Sequence, residues 1–351
     1  MRVLFASLAS AGHTFPMIPF ALAVRDAGHE VHFAAGDAVH APLIANGLRP
    51  FRPADSFYGI YAEDLLPELV RLRPDLVVHG WGVPGAAIAA REAGVPGLWH
   101  GFGRLFPAGI GLELPTGLGV PHLDICPPSL QDRDFLDSET RVALRPVPYS
   151  EPGEEFGTPL TYLTFGTAFG TRELLTTAVE GLALLRSRVV VATGRIGPEE
   201  LGAVPDNVTV RAWVPQASLL ARADLVVHHG GSGTTLGALA AGVPQLVLPQ
   251  GADQFANAEA VTAAGAALRL MPGEVSVAAV AQCASRLRTD PGHREAARGI
   301  ADEIARMPAP EDVARRLCSP RRAGCAAPSR TSRGRSTTPH RTAISSSCTS
   351  P

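Results

Sequence analysis

Val227-His228-His229-Gly230-Gly231-Ser232-Gly233-Thr234-Thr235 is preceded by Leu225-Val226 and followed by Leu236-Gly237-Ala238-Leu239-Ala240-Ala241. The apolar run reads as a buried strand and the alanine–leucine run as the helix behind it. The glycines between them let backbone N–H groups come close to a ligand. Ser232, Thr234 and Thr235 add hydroxyls where a helix start presents unbonded donors and partial positive charge. Strand, glycine turn and helix in that order make a cradle for phosphate, with His229 as a further donor.

At 351 residues the chain is long enough for two domains. A hydrophobic share of 46% and a formal charge of −2 describe a globular protein with ample core. No apolar run approaches the roughly eighteen residues of a membrane span. Met1-Arg2-Val3-Leu4-Phe5-Ala6 runs straight into patterned sequence and resembles a first strand rather than a signal peptide, so a cytoplasmic location is expected. Cys126, Cys283, Cys318, Cys325 and Cys348 have no metal-type spacing, and no metal site is expected. The chain has no lysine, which removes a Walker A loop and a pyridoxal Schiff base. No GxGxxG follows the first strand, which speaks against nicotinamide cofactors.

The chain repeats itself. Asp75-Leu76-Val77-Val78-His79 and Asp224-Leu225-Val226-Val227-His228 are identical, and each is followed by an alanine-rich stretch and then by Ala-Gly-Val-Pro, at Ala93–Pro96 and Ala241–Pro244. Duplicated βαβ architecture accounts for both tags. Val3–Ser7, Glu30–Ala34, Asp75–His79 and Gly97–His100 read as strands of the first half. Leu160–Phe165, Arg188–Ala192, Val208–Ala212, Asp224–His228 and Gln245–Leu248 read as strands of the second. Alternating β and α with short glycine turns predicts an α/β protein of two Rossmann-like doubly wound parallel sheets facing across a cleft. The expected division is 1–150 for the first domain, 151–300 for the second, a helix within 301–317 crossing back, and a disordered basic tail at 318–351. That tail has no acidic residue and too few arginines to suggest nucleic acid as a partner.

Trp213-Val214-Pro215-Gln216, His229–Thr235, Ala241–Pro244 and Asp253-Gln254, four elements in order, resemble the nucleotide-sugar signature of the family 1 glycosyltransferases of GT-B type. The similarity points to the bacterial natural-product tailoring branch, and Gly12-His13 resembles that family's acceptor-side motif. The resemblance implies an inverting, metal-independent sugar transfer from a nucleotide diphosphate sugar to a hydroxyl of a hydrophobic aglycone, with the nucleotide sugar as co-substrate and no bound cofactor. It implies that Trp213 stacks on the base, the Val214 backbone pairs with the base edge and Gln216 reaches the ribose. His229, Gly231, Ser232, Gly233, Thr234 and, from the strand-end turn Thr164–Thr167, Thr167 would hold the diphosphate. Asp253 and Gln254 would grip sugar hydroxyls, and His13 would take the acceptor proton. Trp81, Phe102 and Phe106 are weak candidates for aglycone contacts, since core packing is the stronger explanation for each. A homodimer is left open.

The chain departs from the family pattern in three places. Where relatives place an acid to orient the histidine, the sequence reads His79-Gly80-Trp81. Gly237 stands where many relatives have an acid for the ribose, which favours a thymidine diphosphate deoxyhexose as donor. Phe51–Tyr61 and Phe106–His122 are short for acceptor-binding segments. A nucleotide-sugar-binding protein without turnover therefore stays in play, as does a sugar-nucleotide epimerase, although Trp213–Gln216 together with Gly12-His13 favours transfer. Asp132-Arg133-Asp134 mimics a metal-binding pair but reads as a solvated loop.

Overall fold

Parallel strands with near-continuous apolar runs need both faces of their sheet covered, and the chain builds two parallel sheets. The computed structural model describes residues 1–105, 121–138, 140–151, 156–185 and 187–317. The expected tail at 318–351, Phe106 and most of the Phe106–His122 segment lie outside the described residues. The first sheet contains Arg2–Ala6 (β1), Glu30–Ala34 (β2), Arg49–Phe51 (β3), Leu76–Gly80 (β4), Gly97–His100 (β5), His122–Asp124 (β6) and Arg141–Ala143 (β7). The second contains Leu160–Thr164 (β8), Arg188–Ala192 (β9), Val208–Arg211 (β10), Ala223–His228 (β11), Gln245–Val247 (β12) and Ala267–Arg269 (β13). All pairings are parallel.

The strand orders are β3-β2-β1-β4-β5-β6-β7 and β10-β9-β8-β11-β12-β13. Each reverses direction once, between β1 and β4 and between β8 and β11. Loops leaving the carboxyl ends of those strands diverge to opposite faces and open a crevice, the usual ligand position in such sheets. The duplicated pentapeptides form β4 and β11, which are the equivalent strands of the two reversals. His13 follows β1 and Trp81 follows β4; Thr167 follows β8 and His229 follows β11.

Four strands escaped the hydrophobic pattern: β3, β6, β7 and β13. Each has three residues, with arginine, histidine, aspartate or proline among them, so none shows a run or an alternation to read. The chain passes through a 3-10 turn at Phe15–Met17 before the α-helix Ile18–Asp26, with Pro16 and Pro19 in the opening turns. Asp132 is a helix cap rather than part of a solvated loop. Its carboxylate accepts from the Phe135 amide at 3.1 Å and starts the one-turn helix Arg133–Leu136.

The halves belong to one compact unit. Leu236 of the second half is buried in the core of the first, together with Val313 and Ala314 of the helix Pro310–Leu317, which lies on the helix Ile18–Asp26. Cys126 and Leu130 pack in turn with Leu239, Val247 and Ile300. Across the same boundary the Ser129 amide donates to Glu303 Oε1 at 2.8 Å, and the Arg145 amide donates to the Pro308 carbonyl at 2.8 Å. Among the described residues no helix is long and apolar enough to cross a membrane.

Histidines crowd the carboxyl ends of the central strands. Loss of solvation lowers His13, His79, His100 and His229 to about 4, and His122 and His228 to about 3, from an ordinary 6.5. The unfolded chain therefore binds protons first as pH falls through 6.5, and acid favours unfolding until about pH 4. Burial raises Asp124 and Asp253, which act in the opposite sense over a range starting near 3.8. The melting temperature should fall steadily between pH 7 and pH 5, followed by circular dichroism; an equal or higher value at pH 5 would show the rings to be solvated.

Candidate active site

The turn after β11 is held by the ring of His228. The Gly230 amide donates to its Nδ1 at 3.0 Å, so Nε2 carries the hydrogen and donates to Gln245 Oε1 at 2.7 Å. Both nitrogens are thereby used, and the ring is fully buried and neutral. Gly230 has φ +93°, and a side chain there would come within 2.9 Å of Val247 Cγ1 and 3.0 Å of the Gln254 carbonyl. Only glycine makes this turn.

Gly231 caps the helix Ser232–Ala240. The Thr235 amide bonds the Gly231 carbonyl at 3.0 Å, so the amides of Ser232, Gly233 and Thr234 come before the helical ladder begins. Gly233 is exposed with open space above it. His229 sits in a slot between glycines. A Cβ on Gly231 would lie 2.4 Å from its Nε2, and one on Gly166 2.9 Å from its Cε1. The Phe169 ring is 6.5 Å from it. Among the described residues its Nδ1 has no hydrogen-bond partner. Thr167 is exposed on the turn after β8. The Thr234 hydroxyl donates to Gln216 Oε1 at 3.3 Å, which also receives Tyr162 OH at 3.5 Å.

Ser232 and Asp253 turn out to be partners. The Ser232 hydroxyl donates to Asp253 Oδ2 at 2.8 Å, and Asn257 Nδ2 donates to the same oxygen at 2.8 Å and to the Gly230 carbonyl at 2.9 Å. Gln254 is 1% exposed, and its Oε1 accepts from the Gln250 amide at 2.8 Å and the Gly251 amide at 3.2 Å. The structure thus brings Asp253 to the turn after β11 and turns Gln254 onto its own loop. Trp213 is 47% exposed and meets Phe15 of the first half edge-on, with centroids 6.2 Å apart; Val214 beside it is buried. Gly237 is buried, and a side chain there would reach within 2.7 Å of Leu220 Cδ1.

At the first reversal His13 lies in the one-turn helix Ala11–Thr14. Its ring stacks on Phe102 at 4.6 Å and on Trp81 at 5.9 Å, and Trp81 is 5.7 Å from Phe102. Ser10 Oγ lies 2.9 Å from His13 Nδ1, while Nε2 is buried with no partner among the described residues. At Gly80 a Cβ would come 3.0 Å from Met17 Sδ, so a carboxylate there requires Met17 to move. The next residue after Phe102 closes the gap to the other half: a Cβ on Gly103 would fall 2.6 Å from Ser232 Oγ. Phe102-Gly103 therefore touches His13 on one side and Ser232 of the turn after β11 on the other. Among the described residues no group of three or more His, Cys, Asp or Glu could hold a metal ion.

Ser10, His228 and Asn257 were not singled out from sequence. Asn257 stands four residues after Asp253 on one helix, a spacing that places both on one face, and Ser10 stands three before His13. Either spacing could have flagged them.

The comparisons with known proteins agree with this geometry. Residues 176–319 match the family described as erythromycin biosynthesis protein CIII-like, C-terminal domain. L-demethylnoviosyl transferase of Streptomyces niveus is 33% identical over 380 aligned positions, which take in 92% of this chain and 99% of that protein. Elloramycin glycosyltransferase ElmGT of Streptomyces olivaceus is 33% identical over 381 positions, 90% of this chain and 97% of the relative. The alignments are longer than the part of this chain they contain, so the relatives carry segments that it lacks. Among solved structures, spinosyn rhamnosyltransferase SpnG superposes with a TM-score of 0.75 at 26% identity, over 90% of this chain and 99% of that one. SpnG has also been solved with thymidine diphosphate and with the spinosyn aglycone. With its paired parallel sheets and its two crevices at the strand reversals, the chain belongs to the family 1 glycosyltransferases of GT-B fold that tailor bacterial natural products.

Proposed function

We propose that the protein is an inverting transferase that moves a deoxyhexose from a thymidine diphosphate sugar to a hydroxyl of a hydrophobic natural-product aglycone. The observation that carries this reading is the dipeptide Phe102-Gly103, which touches His13 and Ser232 together and so sets a proton acceptor opposite a helix start. The relatives support it by what they are named for, and SpnG by the ligands it has been solved with.

In this reading the diphosphate rests on the amides of Ser232, Gly233 and Thr234, with Thr167, His229 and the side-chain hydroxyls around it. Trp213 covers the base, the Val214 backbone meets the base edge and Gln216 the ribose. The blocked space above Gly237 leaves no room for an acid, which suits a deoxyribose without a 2′-hydroxyl. Asp253, with Gln254, exchanges its present bonds for sugar hydroxyls. The acceptor O–H proton passes to His13 Nε2 as the oxygen bonds to the anomeric carbon. The carbon–oxygen bond to phosphate breaks on the opposite face, and its electron pair leaves with the diphosphate, so configuration inverts. Helix amides and hydroxyls meet the growing charge, and the reaction needs no metal.

A second reading, binding without turnover, is favoured by the segments that the relatives have and this chain lacks. Activity on a panel of thymidine diphosphate sugars and aromatic or polyketide acceptors separates the two. Transfer should survive EDTA and yield the inverted product by NMR. His13→Ala should lower kcat by about 10²- to 10⁴-fold with nucleotide affinity unchanged. Binding with no transfer to any acceptor would favour the second reading.

Trp213→Ala removes a stacking face worth about 1–3 kcal/mol for one base. Calorimetry should show thymidine diphosphate bound about tenfold or more weakly by this variant; equal affinity would place the base elsewhere.

A further inference from the structure

Ser10 occupies the N-cap position of the helix Ala11–Thr14, where a serine hydroxyl ordinarily accepts a backbone amide. Here it makes no side-chain cap bond. The hydroxyl is spent on His13 Nδ1 instead, at 2.9 Å. At the end of β4, a Cβ on Gly80 would come 3.0 Å from Met17 Sδ, so that position carries no side chain toward the ring. We propose that Ser10 is the positioning residue of His13: Nδ1–H donates to Ser10 Oγ, and this fixes the tautomer whose Nε2 lone pair faces the acceptor hydroxyl. The inference rests on the reading of His13 as the proton acceptor.

A neutral partner has consequences that a carboxylate would not. It holds the ring but adds no charge to favour the imidazolium, so the stabilisation of that cation falls to the faces of Phe102 and Trp81. Burial alone shifts His13, and no charged side chain acts on it. His79 and His100, the titratable groups of the strands leading to Trp81 and Phe102, are themselves buried and neutral. On the facing half the titratable groups are His229, also neutral, and Asp253, whose carboxylate is bonded to Ser232 and Asn257. The base is accordingly weak and ready throughout neutral pH, and its acid limb lies near pH 4 rather than near 6.5.

The tautomer can be read without substrate, by two-bond ¹⁵N–¹H spectra of the full chain with His13→Gln used to assign the signal. Wild type should show Nδ1 protonated up to neutral pH. Ser10→Ala should lose that single pattern, and Ser10→Thr should keep it. Ser10→Asp should raise the His13 pKa above that of wild type. In turnover, Ser10→Ala should lower kcat by about 10- to 100-fold with KM little changed, and Ser10→Asp should move the acid limb of kcat upward. An Nε2-protonated ring in wild type, or a ring unchanged by Ser10→Ala, overturns the proposal. If the spectra behave as expected while His13→Gln turns over normally, the positioning stands and the reading of His13 as the proton acceptor fails instead.

Discussion

A helix that begins directly at the carboxyl end of a buried parallel strand leaves its first amides with no carbonyl to bond, and the second half of this protein is arranged around that deficit. The helix Ser232–Ala240 presents those amides at the strand reversal, where the loops of adjacent strands diverge. Everything near it serves to keep the backbone accessible. Gly230 makes a turn forbidden to other residues, Gly231 and Gly166 clear a slot for the His229 ring, and His228 spends both ring nitrogens on fixing the turn.

The two halves share an architecture but spend it differently. His79 and His228 end equivalent strands of the duplicated pentapeptide, yet only His228 finds partners; both nitrogens of His79 are orphaned among the described residues. In the first half Ser10 bonds His13 within an aromatic cluster, and burial there depresses the basicity of the imidazole.

The halves do not merely face one another. Leu236 enters the first core, the helix Pro310–Leu317 lies on the helix Ile18–Asp26, and Gly103 lies against Ser232. Burial of this kind fixes the crevice geometry, because close-packed interiors tolerate little displacement before side chains leave their preferred rotamers. The same closeness explains why Ser232 and Asp253 bond to each other: two polar groups sealed against water must find partners.

Local sequence was enough for the parallel sheets, the duplicated βαβ unit and the glycine turn between β11 and its helix, since apolar runs, glycine turns and an exact internal repeat are properties of neighbouring residues. His13, Trp213 and Asp253 were singled out by the family resemblance, and the structure sets His13 among aromatic rings, Trp213 edge-on to Phe15 and Asp253 against Ser232. Local sequence could not show that β3, β6, β7 and β13 exist, because the three residues of each mix charged or polar types with apolar ones and leave no apolar run to read. Nor could it show Gln254 turned inward, Ser10 diverted from capping to His13, or Phe102-Gly103 lodged between two crevices. Those facts depend on contacts between residues far apart in the chain, and only the folded packing decides which polar groups lose water and must therefore bond to one another.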